Sequence, residues 1–325
     1  MLLHVRQEGL ASMVGAVDIG GTKIAVGLVD ELGQIAAKHE FPTCVDRGFE
    51  VAMGRVAETL RTQIASTHCQ LQGIGIGCTG PVDPISGVLG NVNLLTGWEG
   101  KNPVDRLSRE FNIFAAIEND ADAVAIGEAM CGIGKEKRSL VCITVGTGIG
   151  SGVIIHGEVY RGVEGNHPEL GHQIIEPAGP LCTCSLHGCW ESLASGPAMA
   201  LWMQENAPPE YSGKELTAKD ICILAQQGDE PAIRAVQREA KYLGIGIANV
   251  ITCFLPEVLL LGGSVMKSAH LFLPRIKETI DLGCQIVPGH LCQVSLATLG
   301  DDAGLIGAAQ VWYHRFQKPR SSCEV

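Results

Sequence analysis

The segment Val14–Ile35, VGAVDIGGTKIAVGLVDELGQI, is the most informative part of the sequence about the fold. Its apolar pattern predicts a strand over Val14–Ile19, a turn at two glycines, a second strand over Lys23–Val29 and a further turn at DELG. A strand therefore follows the glycines where a dinucleotide-binding loop would open a helix. Lys23 is also not placed as the Walker A pattern requires, so both of those nucleotide-binding folds are excluded.

The turn of this hairpin has the chemistry of a phosphate site. Gly20 and Gly21 leave the backbone N–H groups accessible, and such a turn can surround phosphate oxygens. Thr22 adds a hydroxyl and Lys23 a cation. Asp18 lies at the end of the first strand. Its carboxylate can hold a magnesium ion through a bound water molecule. The turn is a candidate site for phosphate and Mg²⁺.

The same pattern returns about half a chain later. Ser139–Val159, SLVCITVGTGIGSGVIIHGEV, predicts a strand, a Gly/Thr turn, a strand and a turn, and Gly146, Thr147 and Gly148 match the first turn in kind. Taken alone, either turn can also be interpreted as an ordinary glycine-rich connection that binds nothing. The two copies together favour a duplicated fold, in which each lobe offers a phosphate-binding hairpin to a shared cleft.

A third predicted strand, VLLLGGSV over Val258–Val265, follows a predicted helix in EAKYLGIGIANVITCF. Gly262 and Gly263 would lie at the carboxyl end of this strand, where α/β sheets bind ligands. Their bare backbone suits a flat adenine ring, although two glycines after a strand are more often only a turn.

Polar residues also follow a strand in FAAIENDADAVAIGEAM. The strand is predicted over Phe114–Ile117, and an Ala-rich helix follows Glu118, Asn119 and Asp120. Two interpretations stay open at this point. Asn119 or Asp120 caps the helix, or Asp120 is a base whose ionised form the helix N-terminus favours.

Composition excludes several classes of protein. The 325 residues suit two lobes, and a hydrophobic content of 46% is that of a globular chain. A net charge of −11 without a basic cluster argues against nucleic-acid binding and against an anionic membrane surface. No apolar run has the length of a membrane span. Residues 1–12 lack the pattern of a signal peptide and are expected to form a loose lead-in.

Thirteen cysteines are dispersed along the chain. Cys78, Cys142 and Cys253 have apolar neighbours in the sequence, which predicts small buried hydrophobic residues. An odd, dispersed set without a secretion signal fits a reducing compartment better than a disulfide framework. The sequence therefore predicts a cytoplasmic protein.

The densest cluster of metal-ligand residue types is in His172–Glu191, HQIIEPAGPLCTCSLHGCWE. Cys182, Cys184 and Cys189 follow His172, and turn residues between them let a short segment surround one point. One histidine with three cysteines is a closed tetrahedral ligand set for structural zinc. The alternative is that these four side chains lie in a loop and bind no metal. A disulfide is less favoured, because it would leave one of the three thiols unpaired.

Together these segments resemble the ROK family of sugar kinases and repressors. Asp18–Lys23 resembles the family's D-x-G-G-T-[KN] phosphate motif, and ENDADA resembles its E-N-D-[AG]-N-A catalytic segment. ELGHQIIEPAGPLCTCSLHGCWESLASG resembles its E-x-G-H…C-x-C-x4-G-C-x-E signature, and the match extends to DDAGLIGAA near the C-terminus. Asp122 replaces a commoner Asn, Ser185 replaces a usual Gly, and NHPELGH is similar to the fructokinase-like members. These departures concern the identity of the sugar.

The resemblance implies an actin-like, hexokinase-type (RNase H-like) duplicated α/β fold, with ATP and sugar in a central cleft between two lobes. We expect an N-terminal lobe over residues 13–118, with the C-terminal helix 303–325 packed back on it. A C-terminal lobe over residues 119–302 would contain the zinc loop, residues 172–191. A homodimer is also implied.

The resemblance further implies transfer of the ATP γ-phosphoryl group to the primary 6-hydroxyl of a hexose, with Asp120 as the base. The residues implied to bind the hexose are Gly80, Asn93, Asn119, Asp120, Glu169, His172 and Glu191. Those implied to bind the nucleotide and its Mg²⁺ are Asp18, Gly20, Gly21, Thr22, Lys23, Gly146, Thr147, Gly148, Gly262 and Gly263. The implied ligands of structural Zn²⁺ are His172, Cys182, Cys184 and Cys189.

Glucose is the first choice of sugar, followed by fructose, mannose and N-acetylmannosamine. A sugar-sensing repressor would need a helix-turn-helix, and the sequence before Asp18 is too short for one. A non-catalytic sugar-binding protein would need a lost base, yet Asp120 is present. Because the zinc ligands are interleaved with Glu169 and Glu191 and lie far along the chain from the glycine turns, loss of zinc is predicted to harm sugar binding more than ATP binding.

Overall fold

The structure, a computed structural model of the chain, describes residues 10–91, 93–211 and 213–317. The predicted lead-in, residues 1–12, lies outside this range except for its last three residues, and so do residues 318–325 of the predicted C-terminal helix. The strands are β1 (Ser12–Ile19), β2 (Lys23–Val29), β3 (Ile35–Pro42), β4 (Gln70–Cys78), β5 (Ala115–Asn119), β6 (Leu140–Val145), β7 (Ile149–Ile155), β8 (Glu158–Val159), β9 (Val258–Gly262) and β10 (Gln293–Leu296). The helices are α1 (Phe49–Thr67), α2 (Pro103–Phe111), α3 (Asp120–Met130), α4 (Trp190–Ala194), α5 (Gly196–Asn206), α6 (Ala218–Gln226), α7 (Glu230–Phe254), α8 (Leu273–Gly283) and α9 (Ala303–Phe316).

The described chain forms two compact units. Unit 1 contains the residues up to Lys135, Arg161–His167 and the residues from Leu299 onward, and unit 2 contains Glu136–Tyr160 and Pro168–Thr298. The sequence placed the end of the first lobe at Glu118. The structure instead assigns α3 to unit 1, because α3 packs against α9.

Each unit is built on a five-stranded mixed sheet, and the two sheets have the same topology. Their strand orders are β3-β2-β1-β4-β5 and β8-β7-β6-β9-β10. In each sheet the second strand along the chain pairs antiparallel with the first, and the third pairs antiparallel with the second. The fourth strand pairs in parallel with the first, and the fifth pairs in parallel with the fourth. This repeat confirms the duplicated α/β fold that the two hairpins predicted.

Helices cover both faces of the sheet in unit 1. The buried side chains of Met53 and Leu60 on α1 pack on one face, and those of Ala308 and Trp312 on α9 pack on the other. Helix α9 approaches closely because β4 has glycine at alternate positions. A Cβ at Gly75 would lie 1.9 Å from the carbonyl oxygen of Ala308.

In unit 2 the long helix α7 begins earlier than the sequence predicted. Asp229 is its N-cap and accepts a hydrogen bond from the N–H of Ala232 at 2.9 Å, and a proline occupies the first turn. The helix therefore starts at Glu230, before the stretch that begins at Glu239. In the described parts of the chain, α7 included, no helix combines the length and the hydrophobicity that crossing a membrane requires.

The cysteines are free thiols throughout the described residues. Cys78 and Cys142 are buried, as the sequence predicted. Cys253 is exposed instead, because it lies near the end of α7 on the side that faces solvent. An apolar sequence neighbourhood was a poor guide there, since neighbours along a helix point in different directions.

Candidate functional site

The carboxyl ends of β1, β4 and β5 meet at one edge of the sheet in unit 1. The parallel register aligns Asp18 with Gly77, and Gly77 with Glu118. The strand end therefore brings Asp18 close to Asp120, the first residue of α3. The pKa of Asp18 is raised to about 7, firstly by burial and secondly by the negative charge of Asp120. Two carboxyl groups thus lie together at the edge where α/β sheets bind ligands.

Asn119 is the N-cap of α3. Its side-chain oxygen accepts a hydrogen bond from the N–H of Ala121 at 2.8 Å, and its side-chain nitrogen donates to the carbonyl oxygen of Gly80 at 3.2 Å. Asp120 occupies the first position of the helix. Oδ1 of Asp120 accepts from the same N–H of Ala121 at 2.9 Å, so both side chains satisfy the start of the helix, and the second oxygen of the Asp120 carboxylate has no part in this bond.

Asp18 has the surroundings of a magnesium ligand. A Cβ at Gly304 would lie 2.4 Å from Oδ2 of Asp18, so the first turn of α9 lies directly against this carboxylate. Carboxylate oxygen is the ligand type that Mg²⁺ prefers. A divalent cation at Asp18 would also relieve its repulsion with Asp120. The residues present therefore fit a magnesium ion.

The turn between β1 and β2 packs against the segment that contains Asn93. A Cβ at Gly21 would lie 2.7 Å from Cβ of Leu94. The ammonium of Lys23 is 3.0 Å from Oε1 of Glu40 on β3. The ammonium group that the sequence analysis assigned to phosphate thus forms an ion pair with the neighbouring strand.

The two glycine motifs of unit 2 are neighbours. Strands β6 and β9 are parallel, with Thr144 opposite Gly262. Gly263 has φ +91°, and a Cβ there would lie 2.3 Å from the carbonyl oxygen of Val145. The structure therefore brings the turn Gly146–Gly148 and the pair Gly262 and Gly263 to the same end of the second sheet.

The predicted zinc ligands form one cluster. The ligand atoms of His172, Cys182, Cys184 and Cys189 all lie within 4.8 Å of one another. Nδ1 of His172 is 3.4 Å from Sγ of Cys182, and Sγ of Cys184 is 3.4 Å from Sγ of Cys189. With Zn–S bonds of about 2.3 Å, tetrahedral geometry separates two thiolates by about 3.8 Å. The cluster therefore has the ligand types and the size of a structural zinc site.

Tight turns bring these ligands together. A bridge between Ile174 and Cys189 closes the loop. Gly188 has φ +74°, and a Cβ there would lie 1.7 Å from the carbonyl oxygen of Glu176, so only glycine fits. Ser185 also has a positive φ of 73°. A non-glycine residue in this conformation costs roughly 1 kcal/mol.

The carboxylates that flank the zinc cluster have different surroundings. Glu169 is exposed, directly before the short 3₁₀ turn Leu170–His172. Glu191 is half-buried, and its Oε2 accepts a hydrogen bond from the N–H of Ile149 at 3.0 Å. The sequence separated the zinc loop from the second glycine turn, but this bond ties the loop to the residue after Gly148. The zinc loop and the second glycine turn are therefore far apart along the chain but adjacent in the structure.

Sequence reasoning missed a buried ionic network at the end of β5. Glu118, only 3% exposed, accepts hydrogen bonds from Arg161 and, at 2.7 Å, from Arg315. Asp122 is buried nearby, and its pKa is raised to about 7, mainly by burial. A glutamate in the apolar strand FAAIEN was the available signal for Glu118. Nothing in the sequence marked Arg161 or Arg315.

Comparison with known proteins gives a match over nearly the whole chain. Residues 14–315 match the ROK family. The glucokinase of Thermotoga maritima is 33% identical over 307 residues, which cover 91% of this chain and 95% of that protein. The xylose repressor of Bacillus subtilis is 31% identical over 255 residues, which cover 78% of this chain and 64% of the repressor.

Solved structures share the fold. The ROK hexokinase of Thermus thermophilus superposes with a TM-score of 0.82 at 32% identity, over 94% of this chain and all of that chain. A ROK family glucokinase of Streptomyces griseus, solved with glucose and AMPPNP, superposes with a TM-score of 0.77 at 32% identity, over 92% of this chain and 98% of that chain.

Proposed function

The chain belongs to the ROK family, and we propose that it is an ATP-dependent sugar kinase that phosphorylates the primary 6-hydroxyl of a hexose, with glucose as the first candidate. The observation that carries this proposal is the position of Asp120. It begins α3 beside Asp18, while Asn119 supplies the helix cap. The similarity to the glucokinases of Thermotoga maritima and Streptomyces griseus supports the same reaction.

Asp120 acts as the base in this proposal. Its carboxylate orients the hexose hydroxyl and accepts the proton as the oxygen forms its bond to the γ-phosphorus and ADP leaves. The transition state of phosphoryl transfer is loose, so catalysis asks mainly for positioning and charge neutralisation. An ordinary carboxylate base is therefore sufficient.

The phosphates are assigned to Asp18 and the glycine turns. Asp18 would hold Mg²⁺, which neutralises charge on the phosphate oxygens when it is bound. The turn at Gly20 and Gly21 and the turn Gly146–Gly148 offer backbone N–H groups. The bare backbone at Gly262 and Gly263 suits the adenine ring. Thr22 and Lys23 complete the nucleotide assignment, and Lys23 also forms an ion pair with Glu40.

The family resemblance assigns the hexose to Gly80, Asn93, Asn119, Glu169, His172 and Glu191. Carboxylates accept strong hydrogen bonds from sugar hydroxyls. Nδ1 of His172 faces the cysteines, which leaves Nε2 for a hydroxyl. A zinc ion at the cluster would act structurally and would fix His172 and Glu191.

An ADP-release assay across a panel of sugars tests the function. We expect release with glucose, and the panel includes fructose, mannose, N-acetylmannosamine and xylose, because the site residues do not by themselves select the sugar. Asp120→Asn serves as the control for contaminating kinases. Absence of hexose-dependent ADP release from the wild-type protein contradicts the proposal.

The similarity to the xylose repressor favours a second candidate, a sugar-responsive regulator without kinase activity. The two candidates differ in what Asp120 does. A regulator would bind its sugar without forming ADP, and Asp120→Asn would leave it unaffected. The same assay, combined with calorimetric measurement of sugar binding, therefore separates them.

We also propose that the protein is a cytoplasmic homodimer. The free thiols of the described residues suit a reducing compartment, and dimers are implied by the family resemblance. Light scattering of the purified protein tests the oligomeric state, and a monomer at micromolar concentration contradicts it.

A further inference from the structure

Arg315, on the last turn of α9, joins two elements of unit 1. Its Nη2 donates to Oε1 of Glu118 at 2.7 Å, and its Nη1 donates to the carbonyl oxygen of Pro84 at 2.5 Å. Glu118 is the residue of β5 directly before Asn119, and Pro84 lies in the loop that follows Gly80. One guanidinium thus connects the end of β5 to this loop, residues 80–91, which we call the sugar loop.

A second bond holds the same loop at its beginning. The side chain of Asn119 donates to the carbonyl oxygen of Gly80 at 3.2 Å. Two consecutive residues of β5, Glu118 through Arg315 and Asn119 directly, therefore fix the sugar loop at Pro84 and at Gly80. Asp120 follows immediately. These two connections link the loop to the two residues directly before the proposed base.

The sugar loop is held together by hydrogen bonds within it. Val82 and Leu89 form an antiparallel bridge, and the N–H of Gly90 donates to the carbonyl oxygen of Pro81 at 2.8 Å. Oδ1 of Asp83 accepts from the N–H of Ile85 at 2.8 Å. These bonds connect the part of the loop around Pro84 to both of its ends, at Pro81 and at Gly90.

We propose, on the basis of the kinase function above, that Arg315 is a positioning residue for the hexose. It holds the sugar loop, with Gly80 and the adjoining Asn93, in register with Asp120. Lysine cannot replace it, because a single ammonium does not reproduce the planar fork that reaches two acceptors. Arg161 also pairs with Glu118, so the buried carboxylate keeps a partner when Arg315 is changed.

Kinetics of Arg315→Lys test the proposal. We expect kcat/KM for the hexose to fall roughly tenfold or more, since displacing a positioning group by ~1 Å can cost ~100-fold. KM for ATP should stay within about twofold of wild type, because we assign the nucleotide to other residues. Arg109→Lys is the matched control, as Arg109 forms an exposed ion pair with Asp105 on α2. It should change neither constant.

Amide hydrogen exchange gives a readout that does not depend on turnover. In Arg315→Lys, exchange within residues 81–91 should accelerate roughly tenfold, while exchange in the zinc loop should not change. Glu118→Gln keeps the side-chain shape but weakens both bonds, so it should give a smaller change of the same kind. This second variant also serves if Arg315→Lys fails to fold.

The outcomes separate the two proposals. If the wild type releases no ADP with any hexose, the kinase function fails and the positioning role fails with it. If the wild type is active but a folded Arg315→Lys keeps its hexose kinetics and its loop protection, the positioning role alone is overturned. Equal losses for hexose and ATP would also overturn it, since they indicate a general loss of stability.

Discussion

Oε2 of Glu191 accepts a hydrogen bond from the backbone N–H of Ile149 at 3.0 Å. Glu191 is two residues beyond the cluster ligand Cys189, and Ile149 directly follows Gly148. A Cβ at Gly148 would lie 2.3 Å from this same carboxylate oxygen. The zinc loop and the second glycine turn are therefore neighbours, and a change in one should affect the other.

Removal of zinc should weaken the binding of both substrates. We expect about one zinc per chain in the purified protein and a loss of zinc in Cys184→Ala. Cys184 is exposed, so its removal leaves no buried cavity. The sequence predicted an effect mainly on the hexose, but the bond from Glu191 to Ile149 leads us to expect weaker nucleotide binding as well. Elemental analysis and calorimetric affinities measure both effects.

Cys253→Ala is the control for that experiment, because Cys253 is an exposed thiol of unit 2 outside the cluster. It should retain its zinc and both affinities. Zinc-free wild-type protein with full activity would contradict the structural role of the metal.

Two substitutions of Glu191 should separate its two contacts. In Glu191→Gln the side-chain oxygen still accepts from Ile149, so nucleotide affinity should be nearly unchanged. Hexose affinity should fall roughly tenfold, because a charge-assisted hydrogen bond becomes a neutral one. In Glu191→Ala both affinities should fall. Titration calorimetry measures these values, and equal behaviour of the two variants would show that the bond to Ile149 is unimportant.

Asp120→Asn should retain the fold and most of the hexose affinity while kcat falls by at least ~100-fold, the lower range of general-base effects. Asn119, which caps α3, is unchanged in this variant. Steady-state kinetics and thermal unfolding are the measurements. Asp105→Asn, which alters an exposed carboxylate on α2, should behave as wild type. Normal turnover by Asp120→Asn would exclude the base.

Asp122→Asn should become more stable than wild type as the pH rises. The pKa of Asp122 is raised from 3.8 to about 7, first by burial and also by the charges of Glu118 and Asp120. The folded state therefore binds more protons than the unfolded state between about pH 4 and pH 7, and wild-type stability falls as the pH rises through that window. Between pH 5 and pH 8 the advantage of the variant should grow by on the order of 3 kcal/mol.

Urea unfolding at the two pH values measures this difference. Asp18, which also has a raised pKa, is present in both proteins and cancels in the comparison. An advantage that does not change with pH would mean that Asp122 ionises at an ordinary pKa.

Gly246→Ala should destabilise the protein, although alanine normally favours a helix. A Cβ at Gly246 would lie 2.1 Å from the ring of Trp190, which is fully buried and begins α4. We expect a loss of about 1–3 kcal/mol from overpacking. Gly54→Ala on α1 is the matched control, because no atom lies within 4 Å of its added Cβ. It should gain about 0.5–1 kcal/mol, and equal stability of the two variants would rule out the contact with Trp190.

Local sequence patterns were sufficient to predict the individual elements and the repeat. Continuous apolar runs and glycine turns are local signals, so both hairpins, the strand before Glu118 and the His172–Cys189 ligand set were predictable. The duplicated sheet topology followed from the two hairpins. Boundaries were less certain, because a helix end such as that at Asp229 depends on a single cap.

Contacts between side chains of different elements could not be predicted in this way, because they follow from tertiary packing. The bond from Asn119 to Gly80 and the pairing of Lys23 with Glu40 depend on backbone positions that local patterns do not specify. The same holds for the bond between Glu191 and Ile149 and for the bridge from Arg315 to Glu118 and Pro84. Arg315 and Glu118 are 197 residues apart along the chain. Their contact exists because α9 packs on the sheet of unit 1, and no signal near either residue encodes that packing.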